Sequence, residues 1–407
     1  MNTLAHPECI EYNSAENFIY VGGTGDLCVV VIDGTTNQKI AWITVPSVAL
    51  ALSYNSTDNK VYCATTANDS LAVVDGSTNQ VIAGVEVGDS PNTLAYNPAS
   101  NRIYCTNKYS RNVTVIDGAT DSVAATVTIG GNPRKPCYDS ILNKMYCACF
   151  NSDSVYVIDG AGDTLVATIA VGVRPEALCC NSGDNKIYCA NRGSNNVTVI
   201  DGVGDTVVAT VAVGRNPRAI CYNSTESKVY CTGGESDDVT IIDCVSDTVI
   251  TTLPTGDTPP ALYYNSTNNK VYCANRLGRS VTVIDGAADS VIGLIEVEDW
   301  PSAFAWNPVQ NRTYVANEWS GSVSVIRDVV GIEEPRFVAA PARSHGPTVI
   351  RGMLPLWGDE SAVLLDITGR RIADLKPGTN DVRFLAPGVY FLQRENAGTT
   401  SKVIVCR

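Results

Sequence analysis

Short apolar runs rich in valine, isoleucine and threonine alternate with short polar stretches along about the first four-fifths of the chain. The unit from Pro217 to Pro259 shows the pattern well. Its apolar runs are residues 218–222, 228–232, 238–242 and 247–253. Polar turn residues fall about every 8–12 residues, and β-branched residues dominate the runs, as is typical of all-β proteins. No window keeps a helical period of apolar residues, so we predict an all-β fold.

The unit repeats without insertion at a spacing of 42 residues (75 minus 33, for example). An aspartate after the third run recurs as Asp33, Asp75, Asp117, Asp159, Asp201, Asp243 and Asp285. A tyrosine in the second run recurs as Tyr20, Tyr62, Tyr104, Tyr146, Tyr188, Tyr230, Tyr272 and Tyr314. Repeated units of this length bury their faces against neighbours. We therefore predict an eight-bladed β-propeller with four-stranded blades over residues 1–330, with an open β-solenoid as the alternative.

Residues that recur in every unit are expected to perform the same structural task. The recurring aspartate is predicted to accept hydrogen bonds from turn amides. Cysteines recur at two positions, which are Cys63, Cys105, Cys147, Cys189, Cys231 and Cys273, and Cys137, Cys179 and Cys221. We interpret them as small apolar packing residues, with a cross-strand disulfide between Cys221 and Cys231 as the alternative. Their spacing does not fit a zinc site.

Charge and composition narrow the functional classes. The net charge is -13, from 42 acidic and 29 basic residues, which disfavours nonspecific binding to nucleic acid or anionic membranes. No apolar run is long enough to span a bilayer. The two histidines, His6 and His345, lie outside the repeats, and no catalytic or metal-binding motif is present. We predict a protein that is not an enzyme and uses no cofactor or metal, although a carboxylate pair in the channel stays open.

Basic residues are concentrated in the loops of one predicted propeller face. Of the 18 Lys and Arg in residues 1–326, seven precede the recurring tyrosine and ten lie in these loops. The candidate ligand-binding residues are Lys108, Arg111, Arg134, Lys135, Arg174, Arg192, Arg215 and Arg218, with Trp300 and Trp319 as stacking surfaces. Arginine offers paired donors to carboxylates and sulfates, so we predict an acidic glycan or an acidic surface protein as the partner. A solvated loop face without a ligand is the alternative.

The repeat stops at Arg327. We predict a linker over residues 331–347, in which 336–340 is a possible fourth strand of the eighth blade. Alternatively, residues upstream of this chain complete the blade, or its edge is left for another chain to pair with. Residues 348–407 are predicted to form a small Ig-like antiparallel β-sandwich. Its predicted strands are 362–367, 372–375, 382–385, 389–393 and 402–405.

Two parts of the chain resemble known families. The segments Tyr104–Asn107, Tyr188–Asn191 and Tyr314–Asn317 resemble the tetrapeptide of the YVTN-repeat propellers, a likeness that covers residues 7–327. This resemblance implies a propeller of secreted or cell-surface proteins, without implying one activity. The segments 366–372, 385–391 and 402–405 resemble the C-terminal sorting domain of the type IX secretion system. That resemblance implies a transport address that is read at the outer membrane and often followed by surface anchoring.

These observations predict a secreted, cell-surface propeller for recognition or adhesion, with a C-terminal domain for export or anchoring. The alternative is a self-assembling extracellular subunit, of a surface layer or filament, whose contacts use the eighth blade and the C-terminal domain. Residues 1–6 carry no signal peptide, so we expect a mature form or a truncated start. The expected partners are an acidic glycan, a surface protein or copies of the chain itself, and no nucleic acid.

Overall fold

The computed structural model describes residues 6–327, 348–350, 353–356, 362–366, 370–376, 378–381, 385, 388–394 and 400–405. Within them every regular element is a β-strand, apart from a single 3-10 turn at Thr66–Asn68. The described residues belong to two compact units, one containing residues 6–327 and one containing those from 348 onward. Each unit is described by itself. The all-β prediction is confirmed.

The first unit contains eight antiparallel sheets, numbered here as blades 1 to 8 in chain order. Blade 1 consists of β1 (Pro7–Asn13), β2 (Phe18–Gly23), β3 (Cys28–Asp33) and β4 (Lys39–Thr44), and blade 2 of β5 (Ala49–Asn55), β6 (Lys60–Thr65), β7 (Ser70–Asp75) and β8 (Gln80–Glu86). Blade 3 consists of β9 (Pro91–Asn97), β10 (Arg102–Asn107), β11 (Asn112–Asp117) and β12 (Ser122–Thr128), and blade 4 of β13 (Cys137–Asp139), β14 (Lys144–Cys149), β15 (Ser154–Asp159) and β16 (Thr164–Ala170). Blade 5 consists of β17 (Pro175–Asn181), β18 (Lys186–Asn191), β19 (Asn196–Asp201) and β20 (Thr206–Ala212), and blade 6 of β21 (Pro217–Asn223), β22 (Lys228–Gly233), β23 (Asp238–Asp243) and β24 (Thr248–Pro254). Blade 7 consists of β25 (Ala261–Asn265), β26 (Lys270–Asn275), β27 (Ser280–Asp285) and β28 (Ser290–Glu296), and blade 8 of β29 (Pro301–Asn307), β30 (Arg312–Asn317) and β31 (Ser322–Arg327). The first strand of each blade packs against the first strands of its neighbours around a central channel.

Each blade is a β-meander, and short polar side chains form hydrogen bonds with the backbone in its tight turns. The turn after β11 shows it: the Asp117 carboxylate accepts hydrogen bonds from the amides of Ala119 and Thr120, both at 3.0 Å. Asp121 then takes a left-handed backbone conformation (φ 56°), which Asn and Asp tolerate better than most residues. The Thr120 amide and hydroxyl, together with the nearby Arg102 guanidinium, hold the pKa of Asp117 below its ordinary value. The structural interpretation of the recurring aspartate is confirmed.

The recurring tyrosines join neighbouring blades. All eight are fully buried. Seven donate a hydrogen bond to the side chain of the last turn of the next blade: Tyr20 to Asn79, Tyr62 to Asp121, Tyr104 to Asp163, Tyr146 to Asp205, Tyr188 to Asp247, Tyr230 to Asp289 and Tyr314 to Asn37. The basic residue two positions earlier reaches the same turn, as where Lys144 Nζ lies 2.8 Å from Asp205 Oδ2. We call the contacts of this tyrosine and this basic residue with the turn of the next blade a clasp. The clasps cross the interface between blades, so the repeated residues stabilise the ring as well as each blade.

The ring closes between blade 8 and blade 1. The last of the clasps runs from Tyr314 and Arg312 of β30 to the turn after β3, where Arg312 donates to the Gly34 carbonyl at 2.7 Å. A shared apolar cluster fills the same interface and includes Ile10, Ile19 and Val325. Packing of this kind joins blade 8 to blade 1 within the described residues. The eight-bladed propeller prediction is confirmed.

Blade 8 has three strands among the described residues, whereas each of the other seven has four. The predicted linker at 331–347 and the possible closing strand at 336–340 lie outside the described residues. In blades 1 to 7 the third strand pairs with a fourth at the rim.

The cysteine predictions have a mixed outcome. The residues at the first recurring position, such as Cys63 and Cys231, are buried free thiols, as expected of packing residues. The alternative Cys221–Cys231 disulfide is wrong because Cys221 faces Tyr230 across the strands, and both thiols are free. Cys137 forms a disulfide with Cys180 of the next blade, which corrects the packing interpretation for that residue.

The second unit contains a five-stranded and a two-stranded sheet. Its strands are β32 (Thr348–Ile350), β33 (Met353–Leu356), β34 (Ala362–Leu365), β35 (Arg371–Leu375), β36 (Gly378–Asp381), β37 (Gly388–Arg394) and β38 (Thr400–Val405). The larger sheet has the order β32-β38-β37-β34-β35. A purely antiparallel arrangement is wrong, since β32 pairs in parallel with β38. Of the predicted strand 382–385, only Leu385 is described, and it lies in a bend.

Candidate functional site

The ten predicted binding residues lie on one face of the propeller. This face, called here the loop face, carries the loops between second and third strands and the loops that join blades. Because the strands alternate in direction, both kinds of loop fall on the same side of every blade. The eight basic residues are carried by blades 3 to 6 and the loops between them, and the two tryptophans by blade 8 and the loop before it. The prediction therefore grouped residues of two separate parts of this face.

Glu176, the second residue of β17, forms ion pairs with two of the predicted arginines. Its carboxylate lies 3.2 Å from Arg134 Nη2 and 3.8 Å from Arg192 Nη1. Arg192 also donates through Nε to Asn216 Oδ1 at 2.5 Å. Arg134 and Arg192 therefore organise the loops of blades 4 to 6, and the shared carboxylate compensates one of their two positive charges.

Phe150, in the loop after β14, lies between two of the predicted arginines. The guanidinium carbon of Arg134 is 4.6 Å from the centre of its ring, and that of Arg174 is 5.7 Å away. A guanidinium over an aromatic face is attracted by the ring electrons and keeps its donors free at the edge. The sequence prediction missed Phe150, although it differs from the residues at the same repeat position, which include Arg192 and Arg276.

Several basic side chains of the loop face point to solvent from a fixed backbone. Arg111 and Arg174 are exposed and have left-handed backbones (φ 54° and 55°). The amide of Arg174 donates to Asp153 Oδ1 at 2.8 Å, and that of the exposed Arg215 donates to Ser236 Oγ at the same distance. Lys108 lies over the ring of its neighbour Tyr109, at 5.3 Å. These charges are presented outward by anchored loops.

Arg218 lies nearer the channel. It belongs to β21, is half-buried, and its Nε has no hydrogen-bond partner. Burial lowers the pKa of its guanidinium, and the charge of Arg192 lowers it further. Lys135, on the loop before β13, is exposed at the channel. Both residues could meet an anionic group that enters the mouth of the channel.

The tryptophans form a second cluster on blade 8. Trp300 and Trp319 have ring centres 5.1 Å apart, and Trp319 is 60% exposed. Arg276 lies over Trp300 at 4.5 Å and donates to Glu318 Oε2 at 2.7 Å. This cluster offers an apolar platform beside a neutralised arginine.

The inner strands enclose a central channel with a cavity of about 1000 Å³. Side chains of all eight blades line it. No group of three or more His, Cys, Asp or Glu with metal-site geometry exists within the part of the chain that the structure describes. The same part contains no helix of the length and apolarity needed to traverse a lipid bilayer.

Comparison with known proteins supports the fold. No protein-family model matches the chain, and no curated protein matches it in sequence. Among solved structures, Kuenenia stuttgartiensis hydrazine synthase is similar with a TM-score of 0.59 at 17% identity, covering 81% of this chain and 98% of that chain. Sqt1 of Saccharomyces cerevisiae is similar with a TM-score of 0.71 at 12% identity, covering 81% of this chain and 97% of that chain.

These likenesses concern the fold alone. One of the two structures belongs to an enzyme, and the propeller architecture is shared by proteins of different function. The resemblances to the YVTN repeats and to the sorting domain therefore stay predictions.

Proposed function

We propose that this chain is a non-enzymatic recognition propeller that binds an acidic glycan or acidic surface protein through its loop face. The observation that carries the proposal is the set of exposed, loop-anchored arginines Arg111, Arg174 and Arg215 on a protein of net charge -13. Arginine side chains held apart from acidic partners bind carboxylate and sulfate groups through paired donors. Arg134 and Arg192 support the loops, since both form ion pairs with the Glu176 carboxylate.

The location we propose is the cell surface, after secretion. Its support is the sequence resemblance of the propeller to YVTN repeats and of residues 366–372, 385–391 and 402–405 to a sorting domain. The compact second unit, with its two β-sheets, suits an export or anchoring module. A ligand held by several propeller loops would then be presented to the cell exterior.

The test is binding of purified chain to immobilised heparin and polygalacturonate, with neutral dextran as the blank. In the test variant Arg111, Arg174 and Arg215 are each changed to Gln. The charge-matched control changes Arg370, Arg371 and Lys376 to Gln in the second unit. Each exposed ion pair contributes about 0.2–1 kcal/mol, so losing three should weaken binding by about threefold to about 150-fold.

The expected result is that the wild type and the control bind at least one acidic polymer, more weakly as salt rises, while the test variant loses affinity. Equal affinity of the test variant and the wild type would overturn the assignment of these residues. Absence of binding to both acidic polymers would overturn the proposed ligand class.

A self-assembling subunit is the second candidate, and the rim of the propeller favours it. The fourth strands expose neighbouring apolar residues to solvent: Ile82 is 50% exposed, and Val166 and Val208 are both 52% exposed. Exposed apolar strands at a sheet edge are surfaces that pair with other chains. Sedimentation of the wild type and of a Val166→Lys, Val208→Lys variant tests this. Concentration-dependent assemblies that the variant loses would support lateral contacts between copies, and a monodisperse wild type would exclude them.

A further inference from the structure

One position of the inner strands is occupied differently in two of the eight blades. In chain order the residues are Glu11, Ser53, Ala95, Cys137, Cys179, Cys221, Tyr263 and Ala305. Six are small, whereas Glu11 and Tyr263 are large and polar. Both line the channel cavity. Because the repeat itself needs neither side chain, their presence calls for a local explanation.

Glu11 and Tyr263 belong to the inner strands β1 and β25, and both line the channel. Burial raises the pKa of Glu11 to about 7. Burial also raises the pKa of Tyr263, and the charge of Glu11 raises it further. Both side chains are only half-buried, although the inner strands surround them. Their accessible surface therefore faces the channel.

A second aromatic ring lies beside Tyr263 in the lining of the channel. The ring of Phe304 lies 6.4 Å from that of Tyr263, at a tilt of 39°. The blades that supply Tyr263, Phe304 and Glu11 are 7, 8 and 1, which are consecutive around the closed ring. The carboxylate and the two aromatic rings thus line the same cavity from three consecutive blades. Blades 4 and 5, on the opposite side of the ring, contribute the Cys137–Cys180 disulfide instead.

The carboxylate has few partners in the protein. A backbone hydrogen bond from Tyr54 and the charge of Lys135 both favour its ionised form, but less than burial opposes it. In the described part of the chain the structure records no ion pair between Glu11 and a basic side chain. Lys135 comes from the loop before blade 4 and is exposed. A buried carboxylate of this kind gains most from a cation that enters the cavity.

We propose that the wall formed by Glu11, Tyr263 and Phe304 is a binding site for an organic ammonium group. The faces of aromatic rings attract such cations, and the carboxylate supplies the opposite charge. The cavity volume of about 1000 Å³ is sufficient for a small-molecule ligand. This site is separate from the loop-face arginines and takes a ligand group of opposite charge.

The test is calorimetric titration of the full chain with choline and with 3,3-dimethyl-1-butanol, its uncharged isostere. Choline should bind saturably to the wild type, and the isostere at least tenfold more weakly. Glu11→Gln keeps the side-chain volume and removes the charge, so choline binding should weaken at least tenfold. Tyr263→Leu should also weaken it. Glu86→Gln, on the exposed outer strand β8, is the matched control and should bind within twofold of wild type.

Choline affinity should rise between pH 6 and pH 8, because the ionised carboxylate is the binding form. The other titratable groups that act on Glu11, or on which it acts, are Lys135, Tyr263 and Cys9, and burial raises the pKa of Tyr263 and of Cys9 further above this range. The Arg111, Arg174, Arg215 variant should bind choline as wild type does, which separates this site from the loop face.

The proposal is overturned if choline shows no saturable binding at tens of millimolar, a range typical of weak ammonium sites. It is also overturned if the uncharged isostere binds as well as choline, or if folded Glu11→Gln, checked by circular dichroism, binds choline as the wild type does.

Discussion

Removing the hydroxyl of Tyr188 tests whether the clasps between blades stabilise the ring. This fully buried hydroxyl of blade 5 donates to Asp247 Oδ1 of blade 6 at 2.8 Å. Phenylalanine keeps the ring packed against its neighbours and removes this hydrogen bond together with the weaker one to the Cys244 thiol. A hydrogen bond to a charged group contributes about 1.5–3 kcal/mol. Lys186 still reaches Asp247 Oδ2 at 2.7 Å and some water reaches this carboxylate, so we expect a loss of about 1.5–2 kcal/mol.

The assay is urea unfolding followed by circular dichroism, with the free energy of unfolding taken from the midpoint and slope. Tyr109→Phe is the matched control, because Tyr109 is 65% exposed, and its loss should stay within about 0.5 kcal/mol. Lys186→Met combined with Tyr188→Phe should show non-additive losses, since both residues bind Asp247. A loss in Tyr188→Phe no larger than in the control would refute a stabilising role for the clasp.

Two further predictions concern the channel. The folded-state pKa of Glu11 is raised from 4.5 to about 7, so the folded form holds an extra proton between these values, and stability falls as pH rises through that window. Glu11→Gln should therefore raise the urea midpoint at pH 8 and not at pH 4.5, and equal gains at both would contradict this assignment. Peptide mapping without reductant should find Cys137 linked to Cys180, with Cys63 and Cys231 free, whereas a linked peptide containing Cys231 would contradict the structure.

Much of the fold was predictable because the same pattern of apolar and polar residues recurs in all eight units. The unit from Pro217 to Pro259 was predicted with four strands, and the structure has β21 to β24 there with ends shifted by at most one residue. A one-residue shift decides the cysteine pairing, however. Cys221 lies opposite Tyr230 and not Cys231, and strand register follows from the backbone ladder, which spacing alone leaves open.

The sequence predicted on which face of the propeller the basic residues lie. It did not predict which of them form ion pairs with acidic residues. The alternation of strands places Arg134 and Arg174 on the same side, and the structure confirms this placement. The neutralisation of Arg134 by Glu176 depends on the distance between two neighbouring blades, and it was missed. Phe150 and Glu11 were missed as well, although Phe150 is the one aromatic residue at its repeat position and Glu11 the one carboxylate at its own. A search for such departures along the inner strands and loops would have found both.

The sequence by itself determined the number of blades, the strands within them and the structural role of the recurring aspartate and tyrosine. These properties depend on local hydrogen bonds and on the alternation of apolar and polar positions, both of which are encoded in a short segment. The recurrence of the segment every 42 residues confirms them. Only the tertiary structure decided which basic side chains are compensated and which are free, and which blades join to form the wall of Glu11, Tyr263 and Phe304. The physical reason is that these contacts form between blades, where closure of the ring brings together residues as distant in sequence as 10 and 325.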